Sequence, residues 1–470
     1  MKRTGRGWAG AVLAAALLAL GGAARADDGG AQLPDWLRIG GDLQVRHDAL
    51  MGKIPTYTQF KGTFTGANPD TTLVPSKTAR NDSLLTDRLG LNLQVRPAEG
   101  VKIQTRLLMY KTFGMADAGA TQAGYFADRQ NKVFDGTLGH VPTGNTLYVD
   151  QAYATVSNLF DQPLFFSAGR RPSTGGTPAN IRDDRPDSGG AGVPGLMIDY
   201  AFDGFALGFT PDIEKLPGFE AKVCYGRGYD SGYLATGSSP RDTNVVGVKL
   251  LAYQTSDSHV ELQYARGIGI FDTFPGPDVK ANLGDLEWWG GDVVRTFEGV
   301  GPGNLTGFLT GAVSVSHPSS NRYNAGFGAN NPGLLCDGAA CEQRTGYGVW
   351  LGERYDLTKT HTKLGAEYNY GTRYWTSFSP AADDMWTSKA GTRGHVFELY
   401  AIQEIPRFKL APGGLVFFKA GWQYYAFNYT GSNGWVGQPQ AIAGLTPSQM
   451  QFMAPVRSAT DFYTTFEVRF

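Results

Sequence analysis

From about residue 37 onward the sequence is a succession of period-two segments whose connections alternate between short and long. Such alternation places successive side chains on opposite faces of a strand. Leu37, Ile39, Leu43 and Val45 alternate with Arg38, Asp42, Gln44 and Arg46. Leu89, Leu91, Leu93 and Val95 alternate with Arg88, Asn92, Gln94 and Arg96, and Val101, Ile103, Leu107 and Met109 with Lys102, Gln104 and Arg106. Similar segments fall near 146–157, 163–171, 194–210, 218–228, 243–254, 258–270, 284–298, 303–316, 344–357, 360–373, 391–405, 413–428 and 459–470. Short turns are expected at 97–100, 158–162, 211–217, 255–257, 299–302, 358–359 and 406–412. Long loops are expected at roughly 47–83, 113–145, 172–193, 229–242, 271–283, 317–343, 374–390 and 430–458. Seven turns and eight loops join sixteen strands, so both ends of the sheet lie on the turn side. A soluble all-β chain shows turn signals about every 8–12 residues instead. The alternation therefore predicts an all-β fold, a single transmembrane antiparallel β-barrel over 36–470 with short periplasmic turns and long extracellular loops. Asp203-Gly204 would suit a two-residue hairpin, but that would make the strand number odd, so it is read as a bulge within 194–210.

The last strand sorts cleanly into two faces. Phe462, Thr464, Phe466, Val468 and Phe470 share one; Asp461, Tyr463, Thr465, Glu467 and Arg469 share the other. The pattern resembles the closing strand of bacterial outer-membrane barrels, in which a terminal Phe on the apolar face marks the client for the barrel-assembly machinery. That resemblance makes Phe462, Phe466, Val468 and Phe470 the expected assembly signal, and the even strand count pairs this strand with the one near 36–45.

The other end of the chain agrees. Lys2, Arg3 and Arg6 precede an apolar run from Ala9 to Leu20, and Ala24-Arg25-Ala26 supplies a small–x–small cleavage pattern. Residues 1–26 read as a secretory signal peptide, leaving 27–35 as a short periplasmic segment. No Cys follows the apolar run to carry a lipid, and no later run reaches the length of a membrane-spanning helix. A mean hydropathy of -0.25 suits a barrel, whose lipid-facing and lumen-facing residues average out. A formal net charge of -1 leaves no concentrated basic surface for nucleic acid. Of three cysteines, Cys336 and Cys341 flank a Gly-containing loop and are the disulfide candidates, while Cys224 falls mid-strand.

A charged side chain facing lipid at mid-bilayer costs about 2–4 kcal/mol for Arg or Lys, so strand charges are assigned to the lumen. Arg38, Arg46, Arg88, Arg96, Lys102, Arg106 and Arg171 then form a basic wall over the first five strands, against Asp42. The rest of the inward set is mixed or acidic: Asp199, Glu220, Lys222, Lys249, Glu261, Lys363, Glu367, Glu398, Glu404, Lys419 and Glu467. The outward set includes Val223, Tyr225, Val349, Leu351, Tyr368, Phe418, Trp422 and Tyr424. A basic wall facing acids across an aqueous gap filters solutes by charge.

The loop at 172–193 is rich in Pro, Gly and alternating charge. The stretch from Gly169 to Arg182 is similar to one in an uncharacterised family of outer-membrane porins, and the architecture resembles that of sixteen-stranded general porins. In those porins the loop at this ordinal position folds into the barrel and narrows it. The resemblance implies Arg182, Asp183, Asp184, Arg185 and Asp187 as constriction residues facing Arg38, Arg88 and Arg106. It also implies a homotrimer, contact with outer-membrane lipid and lipopolysaccharide, and passage of small hydrophilic solutes.

Enzymatic readings find little support. None of His47, His140, His259, His317, His361 and His395 belongs to H-E-x-x-H or to a close pair suited to a metal. There is no G-x-S-x-G elbow, no P-loop and no C-x-x-C-H for covalent haem. The expectation is a cofactor-free, non-enzymatic passive channel of a Gram-negative outer membrane. Its rivals are a substrate-specific channel, an adhesin, or a sheath around an electron carrier.

Overall fold

The computed structural model describes residues 34–66, 68–114, 142, 144–172, 176–185, 195–232, 242–271, 281–323, 326–338, 341–379, 383–408 and 414–470. The signal-peptide reading of 1–26, the segment 27–33 and Asp187 lie outside them.

Among the described residues, sixteen antiparallel strands close a barrel. In chain order they are β1 Leu37–Ile54, β2 Lys77–Ala98, β3 Val101–Thr112, β4 Gly144–Ser157, β5 Leu164–Pro172, β6 Ala201–Phe209, β7 Glu220–Tyr229 and β8 Thr243–Gln254. The other half comprises β9 Ser258–Ile270, β10 Gly284–Val300, β11 Gly303–Pro318, β12 Arg344–Leu357, β13 Thr362–Gly371, β14 Gly394–Glu404, β15 Leu415–Phe427 and β16 Ser458–Arg469. Each strand pairs with its chain neighbours, and β16 pairs with β1 from Asp42↔Arg469 to Lys53↔Ser458. The seam thus runs further along β1 than the expected 36–45.

Three expected boundaries change. β1 and β2 extend through much of the expected 47–83 loop. Their loop-side residues Leu50, Ile54 and Leu84 face the lumen yet are apolar and buried. The polar-in, apolar-out signature used to find strands inverts there. The expected strand at 194–210 begins only at Ala201, because Leu196, Met197, Ile198 and Tyr200 belong to the barrel interior, not to its lipid face. Asp203-Gly204 is neither hairpin nor bulge: Asp203 pairs with Arg170 and Arg227, and Gly204 with Gly169 and Gly226, in unbroken register.

The outward face carries exposed Leu93, Ile103, Phe205, Leu207, Val223, Trp289, Leu309, Leu351, Leu399 and Phe462. Such side chains are stable there only against hydrocarbon. On the loop side, strands Tyr57–Thr65 and Asn68–Val74 form a hairpin that adds Met450–Gln451 in parallel. Phe60, Phe64, Phe327 and Phe452 pack ring to ring beside it.

Candidate functional site: the lumen and its two inward segments

The lumen is built from the strand residues pointing inward and from two connections that enter it. The first joins β5 to β6 and includes a short helical turn, Ala179–Arg182, with Asn180, Ile181 and Arg182 buried. The second joins β13 to β14. Its Trp375, Phe378, Asp383, Asp384, Met385, Trp386 and Lys389 are all buried. The two meet at a parallel bridge between Ile198 and Phe378. Phe378 N–H donates to the Met197 carbonyl at 2.8 Å, and Asp199 N–H donates to the Phe378 carbonyl at 2.7 Å. Ser377 Oγ and Ser379 Oγ donate to the carbonyls of Leu196 and Gly195 at 2.8 and 2.6 Å. Backbone polar groups that could not be left bare inside a barrel are thereby satisfied.

The loop-side half of the β6–β12 wall is apolar. Phe202, Ala265, Leu286, Trp288, Phe308 and Trp350 of the wall pack with Leu196, Met197, Ile198, Trp375 and Phe378 of the inward segments, and the cluster reaches Trp435 beyond the strands. The indoles are anchored as well as packed. Trp288 donates to the Thr376 carbonyl at 2.7 Å, Trp375 to Ala390 at 2.7 Å and Trp435 to Phe271 at 3.0 Å.

The opposite side is ionic. Arg182 pairs with Asp384 at 2.6 Å and Glu398 at 3.5 Å; Lys389 bridges Glu367 and Glu398, each at 2.5 Å. Asp184 meets Lys363 at 2.5 Å and Arg354 at 3.3 Å. The last carbonyls of the helical turn have no donors within it. Wall cations donate to carbonyls at and just past its end: Arg354 to Ile181 at 2.6 Å, Lys419 to Arg182 at 2.9 Å, and Arg469 to Asp184 at 2.5 Å and to Asp183.

The seven residues expected to form a basic wall meet different fates. Arg46 pairs with Asp48 at 2.7 Å and Asp461 at 3.3 Å. Arg88 pairs with Asp383 at 2.9 Å, and Arg106 with Asp42 at 2.8 Å and Asp150 at 3.6 Å. Arg106 reaches Asp42 by lying across Gly90, where a Cβ would sit 2.3 Å from its guanidinium. Arg171 donates to Ser167 Oγ at 2.9 Å. Among the described residues no carboxylate forms an ion pair with Arg38, Arg96 or Lys102, which lie at the turn-side mouth. Arg38 and Arg106, with Asn92, Gln94, Gln104 and Gln151, line a cavity of about 250 Å³.

The residues expected at a constriction are arranged differently from the expectation. Arg185 sits 3.7 Å from Asp42, the carboxylate that also pairs with Arg106. Asp183 and Asp184 do not face Arg38, Arg88 and Arg106; the acid opposite Arg88 is Asp383, from the second inward segment. Burial pushes the Asp383 carboxyl up, but Arg88, Arg46, Arg182 and Lys419 outweigh it and hold it far below the usual carboxylate range. Sequence reasoning placed 374–390 among the outer loops. The available signal was its Trp375, Phe378, Met385 and Trp386, an apolar content that a solvated loop has no use for. Cys336 and Cys341 are disulfide-bonded with Cα atoms 5.3 Å apart, and Cys224 is a free thiol.

A family profile described as "Protein of unknown function (DUF3373)" matches residues 78–470, from the start of β2 to the end of β16. The chain belongs to this family. The match takes in both inward segments and all but one strand of the barrel. A comparison with curated proteins finds no match. Among solved structures, the chain is similar to in-vitro folded OmpT, an outer-membrane protein of Vibrio cholerae in trimer form. Identity is 13%, coverage 93% of this chain and 100% of that one, and the TM-score 0.41. It is also similar to the outer-membrane channel DcaP of Acinetobacter baumannii, at 12% identity, 93% and 99% coverage and a TM-score of 0.41. The barrel architecture of the family member rests on its own strand register.

Proposed function

We propose that this barrel is a narrow, selective channel of a Gram-negative outer membrane, admitting small hydrophilic solutes with a lean toward anions. The observation that carries this reading is the division of the lumen. Sixteen strands can enclose an aqueous channel, but here two inward segments cover the β6–β12 wall with aromatic side chains. A polar, partly exposed region lies along β1–β4, around the cavity lined by Arg38, Gln94, Gln104, Arg106 and Gln151. Arg38, Arg96 and Lys102 give its mouth a positive potential that raises the local concentration of anions. A wide general pore would leave its lumen charges hydrated; most of these are buried in pairs, which favours the selective reading over the general one.

The test is conductance of the purified protein in planar bilayers under a salt gradient. The expected result is small unitary steps, a reversal potential on the anion side, and saturation or block by small organic anions. Large, ohmic, unselective steps would overturn it.

A further inference from the structure

On the turn-side half of the β6–β12 wall, three buried side chains from adjacent strands converge. His259 and Glu261 are two residues apart on β9 and so share its inner face; Asp292 lies opposite Glu261 on β10. Their candidate ligand atoms all lie within 4.8 Å of one another. His259 Nε2 is 3.4 Å from Glu261 Oε2 and 3.4 Å from Asp292 Oδ1. Those separations are long for charge-assisted hydrogen bonds, which run at about 2.7–2.9 Å. The His259 Nε2–Asp292 Oδ1 separation matches the edge of a tetrahedron whose metal–ligand bonds are about 2.0–2.1 Å, an edge of roughly 3.3–3.4 Å.

The surroundings point to a cation independently of that spacing. Asp292 is 3% exposed, and neither of its oxygens accepts a hydrogen bond. Glu261 Oε1, Gln263 Oε1 on the same face of β9, and the hydroxyl of Thr310, directly across from Asp292, are also buried acceptors without a donor. Buried acceptors left bare cost about 1–3 kcal/mol each. A cation meets several of them at once. Lys249 holds Glu261 Oε2 at 2.7 Å, which fixes the carboxylate and leaves Oε1 to ligate. With a neutral imidazole, the two carboxylates and Lys249 sum to one negative charge, which favours a divalent ion.

We propose that His259, Glu261 and Asp292 bind a divalent transition-metal cation of the zinc class, clasping β9 to β10 at the lumen wall. One imidazole and two carboxylates suit zinc or cobalt better than magnesium, which prefers an octahedron of oxygens. The site does not depend on the channel reading.

Untagged protein, stripped with a chelator and refolded in detergent, is titrated with Co²⁺. The expected result is saturable binding of one equivalent with the intense visible absorption of a tetrahedral site, reversed by Zn²⁺. Asp292→Asn and His259→Gln should each weaken binding at least about tenfold. His395→Gln, on the outer face where His395 bonds Tyr368 at 2.8 Å, should leave it unchanged. Heat-modifiable migration verifies that each variant has folded, and Glu261→Gln replaces either that has not. Absence of saturable Co²⁺ binding, or unchanged binding in the folded ligand variants, would overturn the site.

Discussion

The β1–β4 wall around its turn-side cavity and the loop-side half of the β6–β12 wall belong to one barrel and obey one period, yet their inner faces differ. The first presents Asn92, Gln94, Gln104, Arg106 and Gln151 around a cavity; the second presents Phe202, Leu286, Trp288 and Phe308 to an apolar core. The difference comes from what the connections place against each wall. Leu196–Ile198 and Trp375–Phe378 lie against β6–β12, so inward residues there gain by being apolar. Lumen character is therefore a tertiary property that a strand's own pattern reports only where water remains.

The largest expected effect breaks the contrast outright. Replacing 374–390 by a short Gly-Ser link removes the cover from the apolar wall, and unitary conductance should rise several-fold in planar bilayers. An unchanged conductance would show that this segment does not occlude the lumen. Next come point changes on the two walls. Trp288→Ala should cost about 3–5 kcal/mol in denaturant unfolding from detergent, whereas Gln94→Ala should stay within about 0.5 kcal/mol. Equal costs would mean that the walls do not differ in packing.

The basic residues divide the same way. Arg88→Ser removes the direct ion-pair partner of buried Asp383, leaving the fields of Arg46, Arg182 and Lys419, and should cost about 1–3 kcal/mol. The triple change Arg38→Ser, Arg96→Ser and Lys102→Ser should leave stability nearly intact. It should move the reversal potential toward cations, and no movement would exclude the mouth from selectivity.

The smallest effect is with pH. The Asp383 carboxyl is held below its ordinary value of 3.8, so its contribution to stability is in place above that value and is lost as pH falls below it. Thermal midpoints of the native chain and of Asp383→Asn should therefore keep a constant gap from about pH 7 to about pH 5 and converge only in stronger acid. A gap that closes near neutrality would contradict the pairing with Arg88.

Most of the barrel was legible because a lipid-facing strand with a polar inner face writes its geometry into every second residue. β3, β7, β9 and β16 were found that way, as was the inward orientation of Glu261, Glu367, Glu398 and Lys419. What escaped was whatever filled the lumen. Leu50, Ile54 and Leu84 reverse the pattern, and Trp375, Phe378, Met385 and Trp386 follow no period because they fit a cavity, not a pleat. The His259–Glu261–Asp292 group escaped for another reason. Its members are gathered by strand pairing across 34 residues of chain, and sequence spacing holds no record of that register.

The seam between β1 and β16 gives the barrel an order of events. Every other barrel pairing joins barrel strands consecutive along the chain, but these twelve residue pairs join segments about four hundred positions apart. Loop closure over such a distance gains nothing until the intervening sheet exists. The seam is thus the last joint to set. Until it does, both edges of the sheet are bare templates for a neighbouring chain. A nascent molecule is most exposed to misassociation one step before completion, when it already has nearly all of its final structure.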